Sequence, residues 1–335
     1  MDGIDVIRVA SYLSHNKNGL ARALSYLSFS AACMLSTPFL PFRPQAIYVY
    51  NLVTLVPVAG LMRLLWGAKV VIDVQDLWPE SVVASGMMGK GDAPKALQAL
   101  CDFAYRAVDG IIAQSPGFAR RLIHRGARGD RIRVVYNWAP QELSVARVKN
   151  EKSHNQFRIL YAGNLGTVQA LDVIIDAAIL LQDLRPEVVF SIIGRGTDEE
   201  RLRKRATHLS NVEFLGWIAP AGLVPHYENS DALLLHLSDN PLFRMTIPSK
   251  LQQYLQIGRP ILCGVPGDAS DLVEESRAGV SFTSCSPSDL VRAVGELLAL
   301  TQTELDAMGK RGSEFYRLRL DMAQGLREIE QHLLA

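Results

Sequence analysis

Phe157-Arg158-Ile159-Leu160-Tyr161-Ala162-Gly163-Asn164-Leu165-Gly166-Thr167 opens the second half of the chain. An apolar run ends in two closely spaced glycines, and a helical pattern follows. A strand that breaks at glycine and feeds a helix is the first unit of a doubly wound α/β domain. Glycines there let the backbone approach a phosphate, and free N–H groups at the helix start attract its charge. The stretch therefore predicts an α/β domain, from about residue 157 onward, that holds a phosphorylated ligand.

The pattern extends in both directions. Downstream, apolar strands are predicted at 157–162, 188–193, 212–215, 232–236, 260–263 and 280–282. Helical segments at 170–181, 198–209, 221–230, 249–257, 269–276 and 288–300 separate them, which implies parallel strands with right-handed crossovers. Two helices, 303–318 and 321–334, finish the chain. Upstream, strands are predicted at 46–50, 69–74, 110–114 and 133–136, and a further strand from Met1 to Val9. Helices are predicted at 52–65 and 93–108, and another starts with Ser115 as N-cap and Pro116 at its first position. Residues 142–156 are polar and without apolar period, as a linker is. The expected fold is α/β, with two Rossmann-like domains whose parallel sheets face a central cleft. Residues 1–145 form the first domain and 146–156 the linker. Residues 157–318 form the second domain, and the terminal helix 319–335 returns to the first.

Length agrees with two domains, since 335 residues can fill two separate cores. A formal net charge of +1 offers no basic field for nucleic acid. Cys33, Cys101, Cys263 and Cys285 stand far apart and read as buried, reduced thiols of a cytoplasmic protein. The first residues have neither a basic nor an apolar region of a signal peptide. Residues 24–40 and 52–65 are apolar but interrupted by Pro38, Pro57, Gly60 and Arg63, so a spanning helix is not expected. A helix packed on a sheet is the plain reading; a helix on a bilayer surface, helped by Arg22, Arg43 and Arg63, is the sharper one.

Candidate site residues cluster at the predicted βα turns. Gly163, Asn164 and Gly166 lie in the first turn of the second domain, and Gly194 and Gly196 in the next. Gly216, Trp217 and Ile218 follow the third strand, where apolar groups could hold a base. In Thr246-Ile247-Pro248-Ser249-Lys250-Leu251, Ser249 can cap a helix. Lys250 puts a fixed positive charge in its first turn, where the dipole is already positive. Such an arrangement costs stability unless an anion arrives, and Arg244 adds to the same field. In the first domain, Asp73 and Gln75 lead to Asp76 at a strand's carboxyl end, where a carboxylate can accept sugar hydroxyls or take a proton. Asn137 sits where the chain leaves that domain and could also reach the cleft. The histidines are dispersed, and no P-loop, H-E-x-x-H or Ser-His-Asp grouping occurs.

Together these segments resemble the retaining glycosyltransferases of family 4, with the GT-B fold. The similarity is nearest to the bacterial surface-polysaccharide branch that includes fucosamine transferases. It rests on Asp73-Val74-Gln75-Asp76-Leu77-Trp78-Pro79-Glu80-Ser81 with Gly86, and on Val135-Tyr136-Asn137-Trp138. In the second half it rests on Tyr161–Gly166, Ile193-Gly194-Arg195-Gly196, Phe214-Leu215-Gly216 and Ile247–Tyr254, running on to Gly258-Arg259-Pro260. The resemblance implies transfer of a sugar from a nucleotide donor, such as a UDP-N-acetylamino sugar, with retention at the anomeric carbon. The acceptor implied is a polyprenyl-diphosphate-linked glycan of O-antigen or capsule synthesis, at the inner membrane face. The donor would lie on the second domain, with Asp76, Lys250 and Arg244 in catalytic roles and Ser249 and Gln253 among the donor contacts. Positive side chains and helix ends, rather than a metal, would stabilise the departing diphosphate.

The family pattern is not complete here. Gln253 stands where a glutamate usually holds the ribose, and its earlier partner falls on Met245. Asn164 and Gln169 replace the usual arginine and lysine of the first loop. The chain also reads as starting one βα unit late. A sugar-nucleotide epimerase of GT-B fold, or a non-catalytic nucleotide-binding relative, therefore stays open beside the transferase.

Overall fold

The structure is a computed structural model that describes residues 4–12, 19–84, 92–140 and 156–335. Contacts divide the chain into one unit of Met1–Val135 with Arg327–Ala335, and a second of Tyr136–Leu326. Gly86 and nearly all of the predicted linker fall outside the described residues.

The first unit has helix α1 (Gly19–Ser36), strand β1 (Ala46–Tyr50), helix α2 (Val56–Trp66) and strand β2 (Lys69–Val74). Helices α3 (Glu80–Ala84) and α4 (Asp92–Ala107), strand β3 (Gly110–Ala113), helix α5 (Pro116–His124) and strand β4 (Ile132–Val134) follow. The four strands form a parallel sheet in the order β1-β2-β3-β4. The β-branched run Val70-Val71-Ile72 is buried on both faces, as parallel strands require. Ser115 caps α5 by accepting from the Phe118 N–H at 3.0 Å, with Pro116 at the first position. Past Arg327, helix α13 (Met322–Leu334) lays Ile329 and Leu333 on Val71, Ile112 and Val135.

Two expectations for this unit, and one for the cysteines, are corrected. Residues 4–12 form no strand. Ile4, Val6 and Ile7 are exposed, and the sheet ends at β1, so no neighbour supplies ladder partners. Arg63 is not a free surface cation: it pairs with Asp109 at 3.1 Å and donates to the Ala107 carbonyl. Cys285, in the second unit, is exposed, although all four cysteines are unpaired.

The second unit begins with β5 (Phe157–Ala162), α6 (Asp172–Leu181), β6 (Val188–Ile193), α7 (Glu199–Arg205), β7 (Val212–Gly216) and α8 (Val224–Glu228). It continues with β8 (Ala232–His236), α9 (Ser249–Ile257), β9 (Ile261–Gly264), α10 (Asp268–Ser276), β10 (Gly279–Ser281), α11 (Pro287–Leu298) and α12 (Gln302–Arg319). All six strands are parallel, in the order β10-β9-β8-β5-β6-β7. From β5 the chain winds outward through β6 and β7, then returns to add β8, β9 and β10 on the other side. The winding therefore reverses between β5 and β8, and a crevice at the carboxyl end of such a reversal is where doubly wound sheets take ligands.

His236, at the end of β8, has one tautomer written into its contacts. Its Nδ1 lies 2.7 Å from the Gln169 carbonyl, and its Nε2 accepts the Cys285 N–H at 2.9 Å. The ring is thus neutral, Nδ1–H, and it stacks on Phe282. Burial holds its pKa below the usual 6.5, against the opposing pull of the Gln169 carbonyl. The unfolded chain therefore binds the proton first, so stability is present above pH 6.5 and is lost as the pH falls below it. Thermal unfolding should show this fall, with a slope of at most about 1.4 kcal/mol per pH unit from this group. His236→Gln should flatten the profile; an unchanged profile would refute the assignment.

Candidate functional site

At the carboxyl ends of β5, β6 and β7, beside the start of α9, lies a pocket of about 440 Å³. Gly163 and Asn164 come from the turn after β5, and Gly194 and Arg195 from the turn after β6. Trp217 and Ile218 follow β7, and Lys250 and Gln253 face in from α9. Seven of the residues singled out from sequence are thus brought into one lining.

Two turns need glycine for stated reasons. Gly194 has φ +140°, and a Cβ there would stand 1.8 Å from the Gly163 carbonyl oxygen. Gly163 has φ +155°, and a Cβ there would stand 2.0 Å from Lys250 Nζ. The lysine stem therefore lies directly on the bare Cα of Gly163. Gly196 is outside the lining; it lets the two turns touch, because its Cβ would meet the Leu165 carbonyl at 2.3 Å. Gly166 and Gly216 also lie outside it.

The anion-binding chemistry differs from the expectation. The turn after β5 was expected to offer free N–H groups at a helix start. Instead Gly163 N–H donates to the Ile193 carbonyl, Leu165 N–H to the Arg195 carbonyl and Gly166 N–H to Gln169 Oε1. Helix α6 starts only at Asp172, whose carboxylate already takes Arg201 and Arg205. Positive charge in the pocket therefore comes from side chains. Lys250 Nζ donates to the Tyr161 hydroxyl at 2.6 Å and sits 4.1 Å from that ring's centre. Its charge is not fixed: burial pulls its pKa down from 10.5 to about 8. Ser249 is not the cap of α9 either, since Pro248 holds that position and Ser249 is exposed as the first helical residue. Arg244 lies on a short 3-10 turn outside the lining and pairs with Asp239 at 3.1 Å.

The second cation is Arg195, which the sequence reading passed over within its Gly-x-Gly turn. Its guanidinium lies 5.1 Å from the centre of the Trp217 ring, and Trp217 is 57% exposed. A cation beside an exposed ring makes a flat, polarised edge suited to an aromatic ligand. Gln253 Nε2 donates to the Tyr227 hydroxyl at 2.9 Å, so its amide is oriented by a residue that sequence did not flag. Among the described residues no carboxylate lines this pocket, and neither Lys250 nor Arg195 has an acidic partner. Two uncompensated cations in one concavity call for an anion.

The first-unit candidates form a separate polar group. Asn51, with φ +53°, donates from Nδ2 to Asp76 Oδ2 at 2.9 Å. Its Oδ1 accepts the N–H groups of Gln75 and Asp76. Asp76 is therefore exposed but held in place. Asp73 is buried, bonded to the Tyr48 hydroxyl and to Gln75 Nε2, and burial raises its pKa against those bonds. Asn137 is half-buried and belongs to the second unit, outside the pocket lining.

Comparisons with known proteins agree on one lineage. Residues 144–315 match the family model described as glycosyl transferases group 1, and residues 1–138 match that of a glycosyl transferase 4-like domain. A protein of Escherichia coli K12 named as a colanic acid biosynthesis glycosyl transferase, WcaI, is 27% identical over 216 residues, which is 60% of this chain and 52% of that one. A protein of Pseudomonas aeruginosa named as a glycosyltransferase, WbjE, is 23% identical over 259 residues, 73% and 64% of the two chains. The chain thus spans roughly half to two thirds of the length of these relatives. The crystal structure of Anabaena Alr3699/HepE in complex with UDP matches with a TM-score of 0.71 and 17% identity, over 93% of this chain and 83% of that one. At that identity the likeness is one of fold: two parallel-sheet α/β domains of the GT-B kind.

Proposed function

The chain belongs to the glycosyl transferases group 1, and from that premise we propose that it moves a sugar from a nucleotide donor to a lipid-linked glycan acceptor. The observation that carries this is the pocket at the winding reversal of the second unit, with two unpaired cations and no carboxylate. A nucleoside diphosphate fits that chemistry. Its phosphates meet Lys250 and the Gly163 turn, and its base meets Trp217, Ile218 and Arg195. The UDP held by the HepE structure supports uridine as the base.

In the reaction, the bond between the anomeric carbon and the diphosphate oxygen breaks, and the charge that develops on the leaving group falls toward Lys250. The acceptor hydroxyl oxygen bonds to the same face of that carbon, with retention, and its proton passes to a base, for which Asp76 is the candidate. A UDP-N-acetylamino sugar as donor, and a branch near the fucosamine transferases of surface-polysaccharide synthesis, extend the same reading. No described helix is long and apolar enough to cross a membrane. Leu24, Leu27, Leu35 and Phe39, the last 85% exposed, give the α1 region an apolar surface that supports contact with a membrane-borne acceptor. We place this work at the cytoplasmic face. An epimerase would need carboxylates converging on the donor sugar, and the described lining has none.

Calorimetric titration with UDP tests the site. The wild type should bind, and Lys250→Ala should bind at least about tenfold more weakly, as loss of a charge-assisted contact predicts. Equal affinity of the two proteins would refute it. Transfer from radiolabelled UDP-sugar to a polyprenyl-linked acceptor, absent in Lys250→Ala, tests the reaction.

A further inference from the structure

Tyr161 is the last-but-one residue of β5, and it is almost fully buried, as a core tyrosine would be. Its hydroxyl nevertheless makes two bonds that point to the pocket. It accepts from Lys250 Nζ at 2.6 Å and donates to the Asn164 carbonyl at 2.7 Å. The first bond directs the only lysine of the lining. The second holds the glycine turn that the same lysine crosses, since Lys250 Nζ and Cε occupy the place a Gly163 Cβ would take. The ring face under the ammonium adds a cation–π contact. One donor and one acceptor are thus used in a single direction, from lysine to hydroxyl to carbonyl.

We propose that Tyr161 is a positioning residue for the nucleotide diphosphate: its hydroxyl fixes the Lys250 ammonium over the Gly163 turn and ties that turn to the same point. This rests on the reading of the pocket as a diphosphate site. The tyrosine keeps the cation in place before the ligand arrives, so the ligand does not have to order a free lysine chain. The arrangement also makes nucleotide capture sensitive to protons. The other charged or titratable groups near the pocket are Arg195 after β6, Tyr227 on α8 and Tyr254 on α9. Burial raises all three tyrosines, so Lys250 is the group that titrates near pH 8. Its ammonium is the form that binds phosphate, so affinity must fall as the pH rises through that value.

The test is UDP affinity by calorimetry from about pH 6.5 to 9.5. The proteins compared are wild type, Tyr161→Phe, Lys250→Arg and Lys250→Ala, with thermal melts as folding controls. Tyr161→Phe keeps the ring and loses the hydroxyl. It is expected to bind about tenfold more weakly at pH 7, with its midpoint moved to lower pH because the buried ammonium has lost its acceptor. Lys250→Arg is expected to bind without a midpoint in this range, since arginine does not titrate there. Wild-type affinity and midpoint in Tyr161→Phe, with binding lost in Lys250→Ala, overturn the role of Tyr161 and leave the site standing. Wild-type affinity in Lys250→Ala overturns the site itself. If Tyr161→Phe does not fold, the wild-type lysine reports alone. Its 13Cε NMR signal, assigned by its loss in Lys250→Arg, should be ring-current shifted and titrate near pH 8 rather than 10.5. An unshifted signal titrating at 10.5 overturns the proposal.

Discussion

Gly194→Ala is expected to cost the second unit about 3 kcal/mol or more and to lower UDP affinity at least about tenfold. Two penalties add at this position. The residue has φ +140°, a region that L side chains avoid. Its new methyl group would also stand 1.8 Å from the Gly163 carbonyl oxygen. That oxygen is backbone in a turn pinned by the Gly163 N–H bond to Ile193, and Gly194 itself donates to the Gly216 carbonyl at 2.8 Å. No side chain can swing aside, so the ends of β5, β6 and β7 must separate, and these ends are the pocket wall. Gly216→Ala is the internal comparison. It too has positive φ, +75°, but open space where the Cβ would go, so it should cost only about 1–2 kcal/mol. Urea unfolding of both variants measures the contrast; equal costs would show that backbone strain, not the collision, decides.

Arg125→Ala is expected to destabilise the first unit by about 3–5 kcal/mol, as removal of one partner from a buried ion pair does. Its side chain is 1% exposed. Nε donates to Asp102 on α4 at 2.6 Å, and Nη1 donates to Glu80 on α3 and to the Trp78 carbonyl at 2.7 Å. The guanidinium also lies 5.2 Å from the centre of the Tyr105 ring. Truncation would strand Asp102, whereas Glu80 keeps Arg121 at 2.9 Å. Both carboxylates retain some access to water, which places the cost toward the lower end of that range. Arg125→Lys should recover only part, because one ammonium cannot match a fork that spans three partners. Thermal unfolding decides, and a change below about 1 kcal/mol would mean that water replaces the network.

This network explains part of what the sequence showed and what it hid. The Asp-Leu-Trp-Pro-Glu stretch stood out as functional, and Asp76 does lie exposed and oriented. Glu80, four residues on, is engaged by Arg121 of α5 and by Arg125 just after it, far along the chain. Nothing local distinguishes those two roles. The strands of the second unit were legible because burial on both faces leaves unbroken apolar runs, as in Ala232–His236. The Ser115 cap was legible because a cap is a local device. The strand expected at the N-terminus rested on Ile4, Val6, Ile7 and Val9, with Asp5 and Arg8 between them, and pairing depends on a neighbour that such a pattern cannot reveal.

In the pocket, sequence located the turns but not which of their N–H groups are already bonded. Whether an N–H is free depends on which strand lies beside it. Here Ile193, Arg195 and Gln169 take up the N–H groups of Gly163, Leu165 and Gly166. Arg195 was visible in the motif, yet its relation to Trp217 joins turns of different strands. Tyr161 read as one more apolar strand residue, because its use lies in a lysine 89 positions away.

The uncompensated charge of the pocket has a kinetic side. With a formal net charge of +1, the chain as a whole gives an anion almost no pull at a distance. The attraction of Lys250 and Arg195 therefore extends little beyond a Debye length, about 8 Å in physiological salt. Encounter is then governed by ordinary diffusion, and the cations act in the last steps of approach. Added salt should slow association only mildly, while residence time depends on how well Lys250 holds the phosphates and Arg195 the base once water has left.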